Sequence, residues 1–289
     1  MVDTPPPGDL DQILGLTPSE RIEPLARLGR RLLDGAVDAT LKARAAKAIA
    51  TLIEEGVGSG HERLGLGEVV GWLGDVRLRT PKDADYWAAV DTDDGVVKFG
   101  RFLVTNEEWR AFIDGGGYQN KALWADEGWA WLQGCEDPWP EKAKGAEARP
   151  FVVPNQPVVG ISWWEASAYA KANGARLPRF DERVQVIRGK GKKRPYPWGS
   201  PFGEGNSNTR EEVLGRPSAV GLYVRDCTPE GVCDLAGNVA EWTEDGVGGQ
   251  QFYAPGAFNE PSMAAWAKAR EIAPPGHRSA ALGFRLVRD

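Results

Sequence analysis

The stretch CDLAGNVAEW (Cys233–Trp242) brackets a Gly-Asn turn with two carboxylates, Asp234 and Glu241, and closes on a tryptophan. Three structures suit such a segment: a metal loop, part of an active site, or a hairpin corner that packs well. The Gly237-Asn238 pair lets the backbone turn so that alternate carbonyls face one point. Carboxylates and turn carbonyls are the hard oxygens that calcium takes up without demanding strict geometry. The other use of the same residues is a tight turn whose carboxylates are solvated or accept from local N–H groups.

The rest of the chain narrows the choice. It has 289 residues, 42% hydrophobic and 26% charged, ordinary values for a soluble globular protein. Its 12 Trp and 36 Gly stand against 2 His and 2 Met, a balance that favours loop-rich structure pinned by aromatic anchors. A net charge of −6 and a pI near 5.2 argue against nucleic acid as a partner. The one basic run, GKGKKR (189–194), reads as a solvated loop. MVDTPPPGDL at the start carries neither a basic segment nor an apolar one, and no apolar run is long enough to span a membrane. The expectation is a cytoplasmic protein with no membrane contact, in which Cys135, Cys227 and Cys233 are reduced thiols. For Cys227 and Cys233, spaced by TPEGV, a disulfide or a thiophilic metal is the alternative to a buried structural thiol.

Along the chain, residues 1–14 read as disordered and 15–80 as a small helical unit. Thr17-Pro18-Ser19-Glu20 is a helix start, followed by Ile22, Leu25, Leu28 and Leu32 at helical spacing, with Gly35 as the stop. Asp38 caps a second helix carrying Leu41, Ala45, Ile49 and Ile53, and a weaker segment surrounds Val69–Leu73. From about residue 86 to 289, turns and tryptophans take over. Two capping boxes, Thr105/Glu108 and Ser162/Glu165, open helices, each after a strand-like run, RFLV (101–104) and PVVGI (157–161). This is the pattern of one α+β domain with irregular connections.

The motifs FLVTNEEWRAFIDGGGY, PVVGISWWEASAYAKANGARLP, YPWG, GRPSAVGLY, DLAGNVAEW and GFRLVRD follow in the order seen in the formylglycine-generating enzyme, or sulfatase-modifying factor, family. The chain resembles that family over roughly 95–289. The resemblance implies a variant of the C-type lectin-like fold, with much irregular backbone around small twisted sheets, here preceded by the helical unit. It also implies structural calcium. One set of ligands would be the Asp234 and Glu241 carboxylates with the Gly237 and Val239 carbonyls. A second would be the Asn208 and Glu212 side chains with the Thr209 and Leu214 carbonyls.

The departures bear on activity. The family's oxidase chemistry uses two copper-binding cysteines before GFR, where soft thiolates suit Cu(I). Residues 248–289 contain none. Ala240 stands where the family has an aromatic, and RLPTEAEWE has become Arg176-Leu177-Pro178-Arg179-Phe180-Asp181-Glu182-Arg183-Val184. A second branch forms sulfur–carbon bonds with an iron held by three histidines, whereas only His61 and His277 occur here. The expectation is therefore a domain with no catalytic residues that binds a protein partner or ligand, in a bacterial signalling or defence system. The binding face would be Gln250, Gln251, Phe252, Tyr253, Phe258, Asn259, Trp266 and Arg270, a mixture of aromatics with amide and guanidinium donors. The alternative is a non-haem iron or copper oxidoreductase of the same superfamily with atypical ligands.

Overall fold

Apolar residues at helical spacing build the first part of the chain. In the computed structural model, which describes residues 8–34, 38–135, 146–191 and 193–289, four helices occur in succession: α1 (Gly8–Leu14), α2 (Ile22–Leu33), α3 (Ala39–Glu54) and α4 (Gly60–Leu73). Asp38 caps α3 by accepting from Thr40 N, and Ser59 with Glu62 forms a capping box on α4. The helices α2 and α4 cross closely because Gly29 has no side chain; a Cβ there would run into Val69. Leu25, Leu28, Leu32, Ile49, Ile53, Leu66 and Val70 form the shared core.

That core is not closed by the helices alone. Ala219, Leu222 and Tyr223, more than a hundred residues later in the chain, complete it. The Asn155 side chain reaches into the same seam, donating to Gly67 O at 3.0 Å and to Asp75 Oδ2 at 2.7 Å.

After the helices, β1 (Trp87–Thr92) and β2 (Gly95–Gly100) form a hairpin, and the C-terminal β7 (Val287–Arg288) pairs with β2. A four-stranded sheet of order β5-β4-β3-β6 comprises β3 (Ala240–Val247), β4 (Gln250–Ala254), β5 (Glu271–Ala273) and β6 (Leu282–Gly283). The helices α5 (Asn106–Asp114), α6 (Asp126–Gln133), α7 (Trp163–Ala172) and α8 (Phe180–Arg188) pack around these small sheets. Both expected capping boxes are present, on α5 and α7. The rings of Trp109, Tyr169 and Phe284 meet edge-on or tilted at 5.5–5.9 Å, and Trp242, fully buried, donates its Nε1–H to Ile161 O at 2.8 Å.

Four expectations need correcting. Gly8–Leu14 is a helix, held by burial of Leu10 and Ile13, where disorder was expected; residues 1–7 and Gly35 lie outside the described residues. The segment around Val69 is the end of a 14-residue helix whose Ser59 cap the sequence reading passed over. RFLV and PVVGI are not strands. Their hydrogen bonds are scattered, Val104 N to Phe284 O, Val158 N to Val104 O and Gly160 N to Ser279 O, and no ladder forms. Cys227 and Cys233 are paired in a disulfide across an isolated bridge, leaving Cys135 as the free thiol.

Because Leu222 closes the helical core from the far domain, the two parts are expected to unfold in one transition. Leu222→Ala should cost about 2–5 kcal/mol in that transition, read by urea denaturation. Two separated transitions in the wild-type chain would contradict the shared core.

Candidate functional site

The α5 capping box directs the first turn of that helix toward the end of α4. Between them, and walled by residues 151–159, lies a cavity of about 520 Å³. Trp72, Trp109, Ile113, Phe151, Val152 and Pro154 give it apolar walls; Asn106, Glu107 and Arg110 give it polar groups. Trp72 is 52% exposed. Asn106 is committed, its Nδ2 donating to Phe151 O and Val153 O. Glu107 and Arg110 have no ion-pair partner among the described residues, and the buried Trp109 Nε1 has no acceptor there. An apolar cavity of ligand size with a few uncommitted polar groups is the usual form of a small-molecule site. Sequence reading missed it because its residues come from three separate segments.

Cys233–Trp242 is held differently from the expectation. Glu241 is fully buried, and Arg183 and Arg285 both bind it: Arg183 Nε donates to Oε1 at 3.0 Å, and Arg285 Nε donates to Oε2. The same guanidiniums donate to loop carbonyls, Arg183 to Leu235 O at 2.7 Å and Arg285 to Cys233 O and Asp234 O at 2.9 and 3.1 Å. Burial alone would raise the Glu241 carboxyl, but Arg285 and Arg183 outweigh it and hold it below the usual carboxylate range. Asp234 Oδ2 accepts from Gly221 N at 2.7 Å. Behind the loop, Asp226 accepts from Leu235 N and Ala236 N and from the Ser207 hydroxyl. The Asp234 and Glu241 carboxylates, expected as calcium ligands, are therefore engaged by internal donors.

The second expected set lies against the first. Asn238 N donates to Asn208 O at 2.8 Å, and a Cβ on Gly237 would come within 2.8 Å of that oxygen. Glu212 accepts from Gly205 N at 2.5 Å and from the Tyr223 hydroxyl at 3.2 Å, while Thr209 O accepts from Glu212 N. Leu214 packs against the helical core. One feature of a cation site persists there: Asn208 Oδ1 is buried with no donor among the described residues.

The eight residues expected as a binding face do not form one surface. Phe258 belongs to the core, and Tyr253 packs on Trp242 with ring centroids 5.7 Å apart. Gln250 and Gln251 lie on β4 and are half-buried. Arg270 lies over the Phe252 ring at 4.2 Å, and Asn259 and Trp266 are exposed. His61 is exposed on α4 and His277 in the loop before β6. No three His, Cys, Asp or Glu side chains cluster as a metal site among the described residues. The iron and copper sites that the family implies thus find no matching ligand set there.

The description "Sulfatase-modifying factor enzyme 1-like domain" matches residues 96–289. The chain belongs to this family. Hercynine oxygenase of Mycolicibacterium thermoresistibile is 36% identical over 156 residues, covering 50% of this chain and 35% of that enzyme. A formylglycine-generating enzyme of Thermomonospora curvata is 30% identical over 178 residues, covering 50% of this chain and 58% of the relative. The chain thus matches about a third to rather more than half of these relatives' lengths. The solved structure of PvdO from Pseudomonas aeruginosa superposes with a TM-score of 0.51 over 71% of this chain and 90% of that one, at 20% identity. That likeness shows the fold: this sulfatase-modifying-factor domain is α+β and C-type lectin-like. The oxygenase relatives correct the expectation of a non-catalytic binding module, which rested on missing ligands rather than on overall likeness. No helix among the described residues is long and apolar enough to cross a membrane.

Burial pushes the Glu108 carboxyl, in the α5 capping box, up to about 7, against the opposing hydrogen bonds from Thr105. Burial also pushes Asp234 up to about 6. An acid whose folded-state value is raised holds its proton more tightly when folded, so its contribution to stability falls as pH rises from the ordinary value through the raised one. For Glu108 that window runs from about 4.5 to 7. Glu108→Gln keeps the cap and is expected to flatten this decline in urea melts across a pH series. An unchanged slope would mean that Glu108 is not the titrating group.

Proposed function

We propose that the chain acts as an oxidoreductase of the sulfatase-modifying factor superfamily, iron- or copper-dependent, with the cavity between α4 and α5 as its substrate site. The similarity to hercynine oxygenase at 36% identity carries this reading. The cavity supports it, since it lies where the helical unit meets the family domain and is walled by residues of both.

The cavity residues have distinct tasks in this reading. Trp72, Trp109 and Phe151 take up an apolar body and exclude water from it. The Arg110 guanidinium meets an anionic group, the Glu107 carboxylate a cationic one, and the Trp109 N–H supplies one further donor. A bound redox metal would supply the electron transfer to oxygen.

The test is oxygen consumption by the purified chain loaded with Fe(II) or Cu(I), with metal content measured in parallel. The expected result is near-stoichiometric metal and substrate-dependent oxygen uptake, with Arg110→Ala raising KM more than it lowers kcat. Absence of both metal binding and oxygen uptake would overturn the proposal.

A further inference from the structure

We propose that the Arg183 guanidinium closes the 234–241 loop in the place where the family resemblance puts a calcium ion. This inference is independent of the oxidoreductase reading. A carboxylate taken wholly out of water needs a counter-charge, and Glu241 is fully buried. Calcium would supply that charge together with bonds to the Gly237 and Val239 carbonyls. Arg183 supplies the charge from within the chain and bonds a different carbonyl of the loop, that of Leu235. Its Nε donates to Glu241 Oε1 at 3.0 Å, and its terminal nitrogen donates to Leu235 O at 2.7 Å. A planar guanidinium suits this dual role, because its fixed fork addresses a carboxylate and a carbonyl at once.

Three further observations support the substitution. Arg183 stands where the family's RLPTEAEWE has tryptophan, so the second positive charge is a departure of this chain. It is also out of place on its helix. Phe180, Val184 and Ile187 bury one face of α8, and Arg183, on the same face, is buried with them. Finally, Arg285 covers the other side of the Glu241 carboxylate and reaches Cys233 O and Asp234 O. A divalent ion seated between Asp234 and Glu241 would have to displace one guanidinium while standing beside the other, against like-charge repulsion.

The test uses the full chain, with calcium chloride as the probe. Calcium stoichiometry is measured by calorimetric titration for the wild type and for Asp234→Ala, which removes the side-chain oxygens, and Tm is measured for Arg183→Met with and without calcium. Wild type and Asp234→Ala are expected to give the same stoichiometry, whatever binds elsewhere. The loss of one calcium equivalent in Asp234→Ala would overturn the proposal. Arg183→Met is expected to melt on the order of 10 °C lower, and a calcium equivalent gained by that variant would support the exchange of cation for guanidinium. A Tm equal to that of the wild type would overturn it, and if the variant does not fold, the stoichiometry comparison decides alone.

Discussion

Glu241 is a carboxylate with no access to water, and the arrangement of the C-terminal domain follows from satisfying it. Arg183 brings α8 to the loop; Arg285 brings the C-terminal run GFRLV; Glu241 itself lies next to Ala240 at the start of β3. These three charges hold together segments separated by 44 and 58 residues. A buried pair of this kind adds little stability over a well-packed apolar replacement, but removing one member strands the others, at a cost of about 3–5 kcal/mol. The triad therefore acts mainly on specificity of register: the loop carbonyls of Cys233, Asp234 and Leu235 are fixed by the same guanidiniums.

With the loop fixed, the neighbouring segments have little freedom. Asp226 anchors Leu235 and Ala236 from behind, and Asn208 binds the Asn238 backbone. The chain between these points, residues 219–223, is then presented to α3 and α4, where Leu222 and Tyr223 complete the helical core. The helical unit is thus docked through the same region that the triad orders. The cavity between α4 and α5 is a consequence of that docking, since its walls come from both sides of the seam.

Much of this frame was legible in the sequence. The boxes at Thr105/Glu108 and Ser162/Glu165 are local signals, satisfied within one turn, and they located α5 and α7. The order of short motifs indicated the lectin-like fold, because each motif is a local structure that the fold reuses. What failed depended on distant partners. RFLV and PVVGI looked like strands by composition, but whether a ladder forms is decided by neighbours far along the chain. The ligands of the 234–241 loop were inferred from its own residues, while its counter-charges sit on α8 and near the C-terminus. A signal for Arg183 did exist: an arginine on the apolar face of a helix, beside Phe180, Val184 and Ile187, implies a buried acid. Nothing comparable in the sequence joins Trp72 to Phe151, so the cavity was out of reach.

The domain therefore joins a family frame, which includes Glu241 and Arg285, to one internal charge of its own, Arg183, and likeness to oxygenases gives that frame a reaction to be tested. The central structural claim is that guanidinium, and not a metal ion, neutralises Glu241. A crystal structure of the full chain grown in calcium measures this most directly. The account predicts Arg183 Nε within hydrogen-bond distance of Glu241 and no anomalous scattering peak in the 234–241 loop. A metal peak between Asp234 and Glu241, with Arg183 turned away, would contradict it.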